Sequence, residues 1–374
     1  MPGLYLHIPF CKQACNYCDF HFSTTHNTKA SMLEAMRKDI GLRSDYLGTN
    51  QLHTIYFGGG TPSLLSGDEL KGIFETINRN FSVDPGAEIT LEANPDDLTA
   101  ERLDEIRKAG INRLSIGIQS FSDEDLKYLN RVHTAIQAYD VVRLAQDHGF
   151  DNISIDLIYG IPTLTEEQWE KNMDTAFSLG VKHLSCYSLT VEPRTALAKL
   201  IRDRKVTEVD EEMSAMHFAM LMDRAARAGF EHYEISNFAK PGSYSKHNTS
   251  YWNGEPYLGI GPSAHSYNKV SRQWNISNNP QYIRNIDEGI VPFEREELSE
   301  TEKFNEYILT SLRTIWGISL RKLFLEFGEK PALEFQRNII PLLDDEQIEL
   351  QGENLVLTRR GKFFADRIAS ELFL

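Results

Sequence analysis

Through its first half the chain alternates short β-rich runs with helix-like stretches, and this alternation restricts the fold more than any other feature. The strand-like runs are Leu4–Ile8, Thr54–Phe57, Glu88–Glu92, Arg113–Ile118, Asn152–Leu157 and His183–Tyr187. Between them lie helical segments at Lys29–Tyr46, Gly67–Asn80, Ala100–Ala109, Ala135–His148 and Glu166–Ser178. Several stop at a glycine able to take positive φ, as at Ala109-Gly110, His148-Gly149 and Leu179-Gly180. A strand–helix–strand order of this kind gives parallel strands joined by right-handed crossovers. Six such units predict a partial (β/α)6 barrel; an open doubly wound sheet satisfies the same pattern.

Polar or glycine-rich tips follow five of the strands. They are Cys11, Gly58-Gly59-Gly60-Thr61-Pro62, Glu92-Ala93-Asn94-Pro95, Gln119-Ser120-Phe121 and Asp156-Leu157-Ile158-Tyr159-Gly160-Ile161-Pro162. In a barrel these ends converge on one mouth, where barrel enzymes keep their sites. The first tip carries three of the four cysteines in eight residues, Cys11-Lys-Gln-Ala-Cys15-Asn-Tyr-Cys18. Three thiolates on one loop can hold three irons of a cubane cluster and leave the fourth iron open, whereas ordinary cluster sites use four cysteines. A zinc site wants a second Cys or His pair, and a disulfide framework wants an even count in an oxidising compartment. Cys186 lies in an apolar run and is read as a buried structural thiol.

The Cys-x3-Cys-x2-Cys spacing is the signature of radical S-adenosylmethionine (SAM) proteins. The flanking Tyr5-Leu6-His7-Ile8-Pro9-Phe10-Cys11 resembles the branch holding the oxygen-independent coproporphyrinogen oxidases and the HemW-type haem chaperones. That resemblance implies the radical-SAM partial barrel and a [4Fe-4S] cluster on Cys11, Cys15 and Cys18 whose open iron is chelated by SAM. It also implies that Gly59, Gly60 and Thr61 meet the methionyl group through their backbone. Further SAM contacts are implied at Tyr5, Gln119, Arg131 and Asp156. Without the resemblance, Arg131 reads as a solvated surface charge. Glu92, in the apolar run Ile89-Thr90-Leu91, can accept from the SAM amino group or ribose hydroxyls. Tyr17 can pack on the cluster or on a ligand.

Two departures select among the relatives. Where the oxidases carry a further cysteine two residues after the third, this chain has Phe20. His247-Asn248-Thr249-Ser250-Tyr251-Trp252 matches the His-Asn-x-x-Tyr-Trp motif of the haem chaperones. Alone, a His beside Tyr and Trp reads more readily as a satisfied interface histidine. The complete motif together with Phe20 turns the reading towards an axial ligand for b-type haem. His265 is a second candidate, with the SAM pocket as its expected place. The function so implied is a haem chaperone handing haem to an apo-haemoprotein; the alternative is a radical-SAM porphyrinogen oxidase-like enzyme.

The remaining expectations concern organisation. Residues 1–232 form the barrel, 233–298 a connecting segment with the haem motif, and 299–374 a winged-helix-like domain. A final helix is expected from Thr358, and Met213, Met216 and Met220 are read as a core stripe. Residues 300–374 hold 10 Lys/Arg against 13 Asp/Glu, and the whole chain has a net charge of −15. A phosphate-backbone partner calls for a basic face, so no nucleic acid is expected and the last domain reads as a lid or partner-docking module. No run of about 18 apolar residues exists, so membrane contact is at most peripheral and the expected compartment is the cytoplasm. Cluster-driven homodimer formation is a further expectation from the family.

Overall fold

A computed structural model describes residues 1–374. Six strands, β1 (Gly3–Ile8), β2 (Gln51–Gly59), β3 (Ser82–Ala93), β4 (Arg113–Gln119), β5 (Ile153–Tyr159) and β6 (His183–Ser188), pair in sequence order and in parallel. Along β1, Leu4, Leu6 and Ile8 are fully buried against the outer helices, whereas Tyr5 reaches the rings of Tyr56 and His247 inside the barrel. This is the period-two alternation of a strand with two different faces.

The helices begin and end where local chemistry dictates. Ser66–Glu69, Thr134–Gln137 and Thr165–Gln168 close reciprocal capping boxes. Losing such a cap costs about 1 kcal/mol. Gly110 and Gly149 stop their helices at φ of 106° and 79°. The first helix is shorter than expected, Lys29–Leu42; Arg43 caps it and pairs with buried Asp39 one turn back.

The segment expected to connect the domains, 233–298, holds strands of its own, the first of them beginning at Glu231. They continue the sheet beyond both barrel edges, as β7 (Glu231–Glu234) and β8 (Asn237–Ala239) outside β6, and β9 (Tyr257–Ile260), β10 (His265–Tyr267), β11 (Ser271–Asn275) and β12 (Phe293–Glu297) outside β1. Leu258, Ile260, Tyr282 and Ile286 belong to the same apolar core as the barrel strands. Short strands broken by Asn, Ser and Gly left too little periodicity for the sequence to reveal this. The methionine stripe is corrected in part: Met220 is half-buried against the barrel core, as expected, but the stripe is not the buried face. On the helix Glu211–Arg227 the buried face is His217, Phe218, Leu221, Met222 and Ala225, while Met216 is exposed.

The C-terminal residues have their own core, formed by Phe304, Ile308, Leu312, Phe335, Leu355 and Ile368 among others. Helices Glu300–Leu312, Leu320–Phe327 and Glu329–Asp344 surround a three-stranded sheet of β13 (Ile318–Ser319), β14 (Ile348–Gln351) and β15 (Asn354–Leu357). This is winged-helix-like. A 3-10 turn at Gly361–Phe364 precedes the last helix, which starts at Ala365 rather than Thr358. The domain docks through Arg313 to Glu234 (3.1 Å), Arg272 to Glu306 (2.8 Å) and the backbone of Ile315 to Tyr233. All three contacts lie on the sheet extensions, away from the barrel mouth.

Candidate cofactor site at the barrel mouth

The C-terminal ends of β1–β6 surround a cavity of about 630 Å³. Its wall begins with the cysteine loop, which backbone and side-chain bonds hold in place. The Cys11 N–H donates to Ser23 O (3.0 Å), and that of Ser23 donates back to Pro9 O (2.9 Å). On the far side, Asn16 Nδ2 donates to Tyr128 O (2.9 Å), Gln13 Nε2 to Asn130 O (2.9 Å) and Asn130 Nδ2 to Ala14 O (2.7 Å). Asn130 makes this grip at φ 60°, a conformation that Asn tolerates better than most residues.

The three thiols of the loop are unpaired and line the same cavity. No trio of Cys, His, Asp or Glu converges tightly enough to hold a single metal ion. Cys186 is buried in β6, away from this wall. Three spread sulfurs with no fourth are the donor chemistry of an iron–sulfur cluster with one iron left for another ligand, so the residues fit the group.

Behind the loop runs the glycine segment. Gly59 takes φ 103°, and a Cβ there would come within 2.7 Å of the His7 ring. A Cβ on Gly60 would meet Phe10 O at 2.7 Å and Ile8 O at 2.8 Å. The Gly60 and Thr61 N–H groups donate to those same two carbonyls, at 2.8 and 2.7 Å. Glycine is therefore required for this strand end to pass beneath the cysteine loop, while Gly59, Gly60 and Thr61 still line the cavity.

Deeper in the barrel stand two carboxylates. Glu92 accepts from Tyr56 Oη (2.8 Å), and burial, with Asp156 adding to it, lifts its pKa to about 7. Asp156 accepts from Ser115 Oγ (3.2 Å) and is lifted by burial to about 6. Both face the cavity, where a cationic or hydroxyl-bearing ligand can restore their charged forms. Gln119 ends β4 at φ 68°, strained for a non-glycine residue, and also lines the wall. Tyr17 and Arg131 complete it. Asn94, part of the tip expected at the mouth, has a partner the sequence did not indicate: its Oδ1 accepts from Arg131 Nη2 at 2.6 Å. Sequence reasoning missed Asp97, which stands behind the wall and binds Lys12 of the cysteine loop and Ser63 just after the glycine segment, the latter at 2.6 Å. Neither pairing carries a motif; only the fold brings the partners together.

Two expected site residues lie outside this wall. Tyr5 sits below it, its hydroxyl 3.3 Å from His7 Nδ1 and its ring stacked on Tyr56. His247 is at the opposite end of the barrel, 1% exposed. Its Nδ1 shares a 2.8 Å hydrogen bond with Thr54 Oγ1, its Nε2 a 2.6 Å bond with Tyr251 Oη, and its N–H donates to Glu88 Oε1. Thr54 and Glu88 stand near the N-terminal ends of the paired parts of β2 and β3, so the helix Lys246–Trp252 plugs the barrel floor. Burial lowers the His247 pKa to about 3, and both ring nitrogens are engaged. In this arrangement no His247 nitrogen faces solvent or the mouth cavity. His265, expected near the SAM pocket, instead starts β10 and stacks on Trp274.

Comparison with known proteins identifies the family and the fold. Residues 5–176 match the Radical SAM superfamily and residues 298–364 the HemN C-terminal domain. The chain is 34% identical to the heme chaperone HemW of Mycobacterium tuberculosis, over 99% of its own length and 94% of that protein. It is 35% identical to HemW of Bacillus subtilis, covering 98% of each. Among solved structures, coproporphyrinogen III oxidase (HemN) of Escherichia coli superposes with a TM-score of 0.86 at 22% identity, covering 100% of this chain and 90% of that one, a likeness of fold. With more than 30% identity to these relatives over nearly its whole length, the chain belongs to the HemW-type haem chaperone family of the radical SAM superfamily.

Proposed function

We propose that this protein is a haem chaperone that binds b-type haem and passes it to an apo-haemoprotein, while carrying a SAM-ligated [4Fe-4S] cluster. The observation that carries the reading is end-to-end similarity to proteins named heme chaperone HemW. Phe20, 71% exposed at the rim where the oxidases have a cysteine, supports it.

Cys11, Cys15 and Cys18 would hold three irons. The cavity wall at Gly59, Gly60, Thr61, Gln119 and Arg131, with Glu92 and Asp156 beneath, would take SAM. Bound there, the two groups would provide one-electron cleavage chemistry that belongs to the cofactor. The protein's own part is to seat both groups, with Tyr56 keeping a proton on the hydrogen bond to Glu92.

Haem binding through His247 requires the floor to open, because Nε2 is released only when the bond to Tyr251 breaks. The neighbouring Trp252 lies under the Arg313 guanidinium, 5.4 Å from ring centroid to Cζ, with its indole N–H buried and unpartnered. Movement of the C-terminal domain would therefore uncover the motif. The domain is accordingly read as a gate over the floor, not as a lid on the mouth.

No helix is long and apolar enough to cross a membrane; we place the protein in the cytoplasm, with homodimer formation as a further proposal. The second reading, a porphyrinogen oxidase, is favoured by the HemN-like fold and the mouth cavity. Haem titration of the anaerobic protein followed by transfer to an apo-haemoprotein tests the first reading. Conversion of coproporphyrinogen without haem uptake would replace it with the second.

A further inference from the structure

We propose that Arg131 sets the reduction potential of the cluster, by donating a hydrogen bond to the sulfur of Cys15. The inference rests on the cluster reading above and assigns a role that cluster ligation alone does not contain.

Arg131 Nη1 lies 3.3 Å from Cys15 Sγ. Its Nη2 donates to Asn94 Oδ1 (2.6 Å) and Gly117 O (2.9 Å), and its Nε is buried with no partner. All of these oxygen partners are neutral. The other cation of the wall, Lys12, is neutralised by Asp96 and Asp97, whereas Arg131 makes no salt bridge at all. A half-buried guanidinium without a protein carboxylate calls for an anion; SAM, read above as a ligand of the same wall, supplies one when bound, and in its absence the sulfur that Arg131 touches becomes one on binding iron.

The contact is built into the fold. The grip of Gln13, Ala14 and Asn16 on residues 128–130 holds the cysteine loop against the segment carrying Arg131. The N–H of Arg131 is in turn fixed to Leu126 O at 2.8 Å. Hydrogen bonds to cluster sulfurs are among the levers that set cluster potentials. On reduction, one electron passes from a one-electron donor to the cluster, and no covalent bond forms or breaks. The added negative charge is stabilised by the adjacent cation, so the reduced state gains more than the oxidised state does.

The test is a potentiometric titration of the anaerobically reconstituted full-length protein without SAM, following the paramagnetic signal of the reduced cluster. Arg131→Gln is expected to make reduction about tenfold less favourable, which for a one-electron couple is about 59 mV towards more negative potential. Arg131→Lys keeps the charge but loses the fork, and a smaller shift of the same sign is expected. If Arg131→Gln does not retain iron, Asn94→Ala, which removes one of the two acceptors of Nη2 together with a 3.3 Å bond to Thr61 Oγ1, should still lower the midpoint. An unchanged midpoint in Arg131→Lys and Asn94→Ala at full iron content overturns the proposal. So does weakened SAM binding with no change of midpoint, the result expected if Arg131 serves only to anchor SAM. Wild-type protein that fails to take up about four irons removes the underlying cluster reading, and iron analysis shows that before any titration.

Discussion

Replacing His247 by alanine should destabilise the protein as a core mutation does, before any haem is added. The change leaves Thr54 Oγ1 and Tyr251 Oη without their 2.8 and 2.6 Å partners. A buried polar group stripped of its partner costs about 1–3 kcal/mol, partly offset where water can enter the vacated space. The ring also stacks on Tyr56 with centroids 4.9 Å apart, and such a pair contributes about 0.5–1.5 kcal/mol. Together the loss is expected at about 3–5 kcal/mol, a large fraction of a typical domain's stability. The assay is urea unfolding of the cluster-free protein, followed by tryptophan fluorescence and far-UV circular dichroism. Coincident transitions are needed before a single free energy is extracted. Tyr251→Phe separates the structural role from the ligand role. It removes one hydrogen bond, costing about 1–2 kcal/mol, yet frees Nε2. If His247 binds haem after the floor opens, Tyr251→Phe should take up haem more readily while His247→Ala takes it up less. Wild-type stability in His247→Ala would refute the argument from burial.

Replacing any one of Cys11, Cys15 and Cys18 by alanine should abolish a stable four-iron cluster, read from iron content after anaerobic reconstitution; a triple variant that kept its iron would sink the assignment. Glu92→Ala should weaken SAM binding at unchanged iron content. Gly60→Val should also lower stability, because its side chain would press on the Ile8 and Phe10 backbone. The pH dependence follows from Glu92, whose pKa is raised in the fold from 4.5 to about 7. An acid with a raised folded pKa carries no penalty below its unfolded value and loses stability as pH rises from there to the folded value. Glu92→Gln should therefore gain stability over the wild type between about pH 4.5 and 7 and hold that gain above it, in protein free of SAM. A difference that does not vary with pH would remove the burial argument.

The strand–helix alternation was readable because each outer helix buries one stripe and stops at a capping or glycine signal, as at Ser66 and Gly110. The cysteine loop was readable because its three ligands are neighbours in the chain. The extended sheet over 231–297 was not, since its strands are three to five residues long and take their register from β1 and β6. The partners of Asn94 and Asp97 were equally hidden. Each is one ordinary polar residue whose partner lies more than 30 positions away.

His247 shows the division most clearly. Its motif and aromatic neighbours are properties of the sequence, and they are enough to select the family. Whether its nitrogens face a ligand or the protein depends on Thr54 in β2 and on Tyr251, which close on the ring only when the helix Lys246–Trp252 seats in the barrel floor. The sequence by itself determined the kinds of donor this chain carries: three soft sulfurs, a glycine strand end, buried carboxylates and an imidazole beside tyrosine. Tertiary structure alone decided which of them share a cavity, because burial and hydrogen-bond partnership come from strands far apart in the chain and not from local spacing.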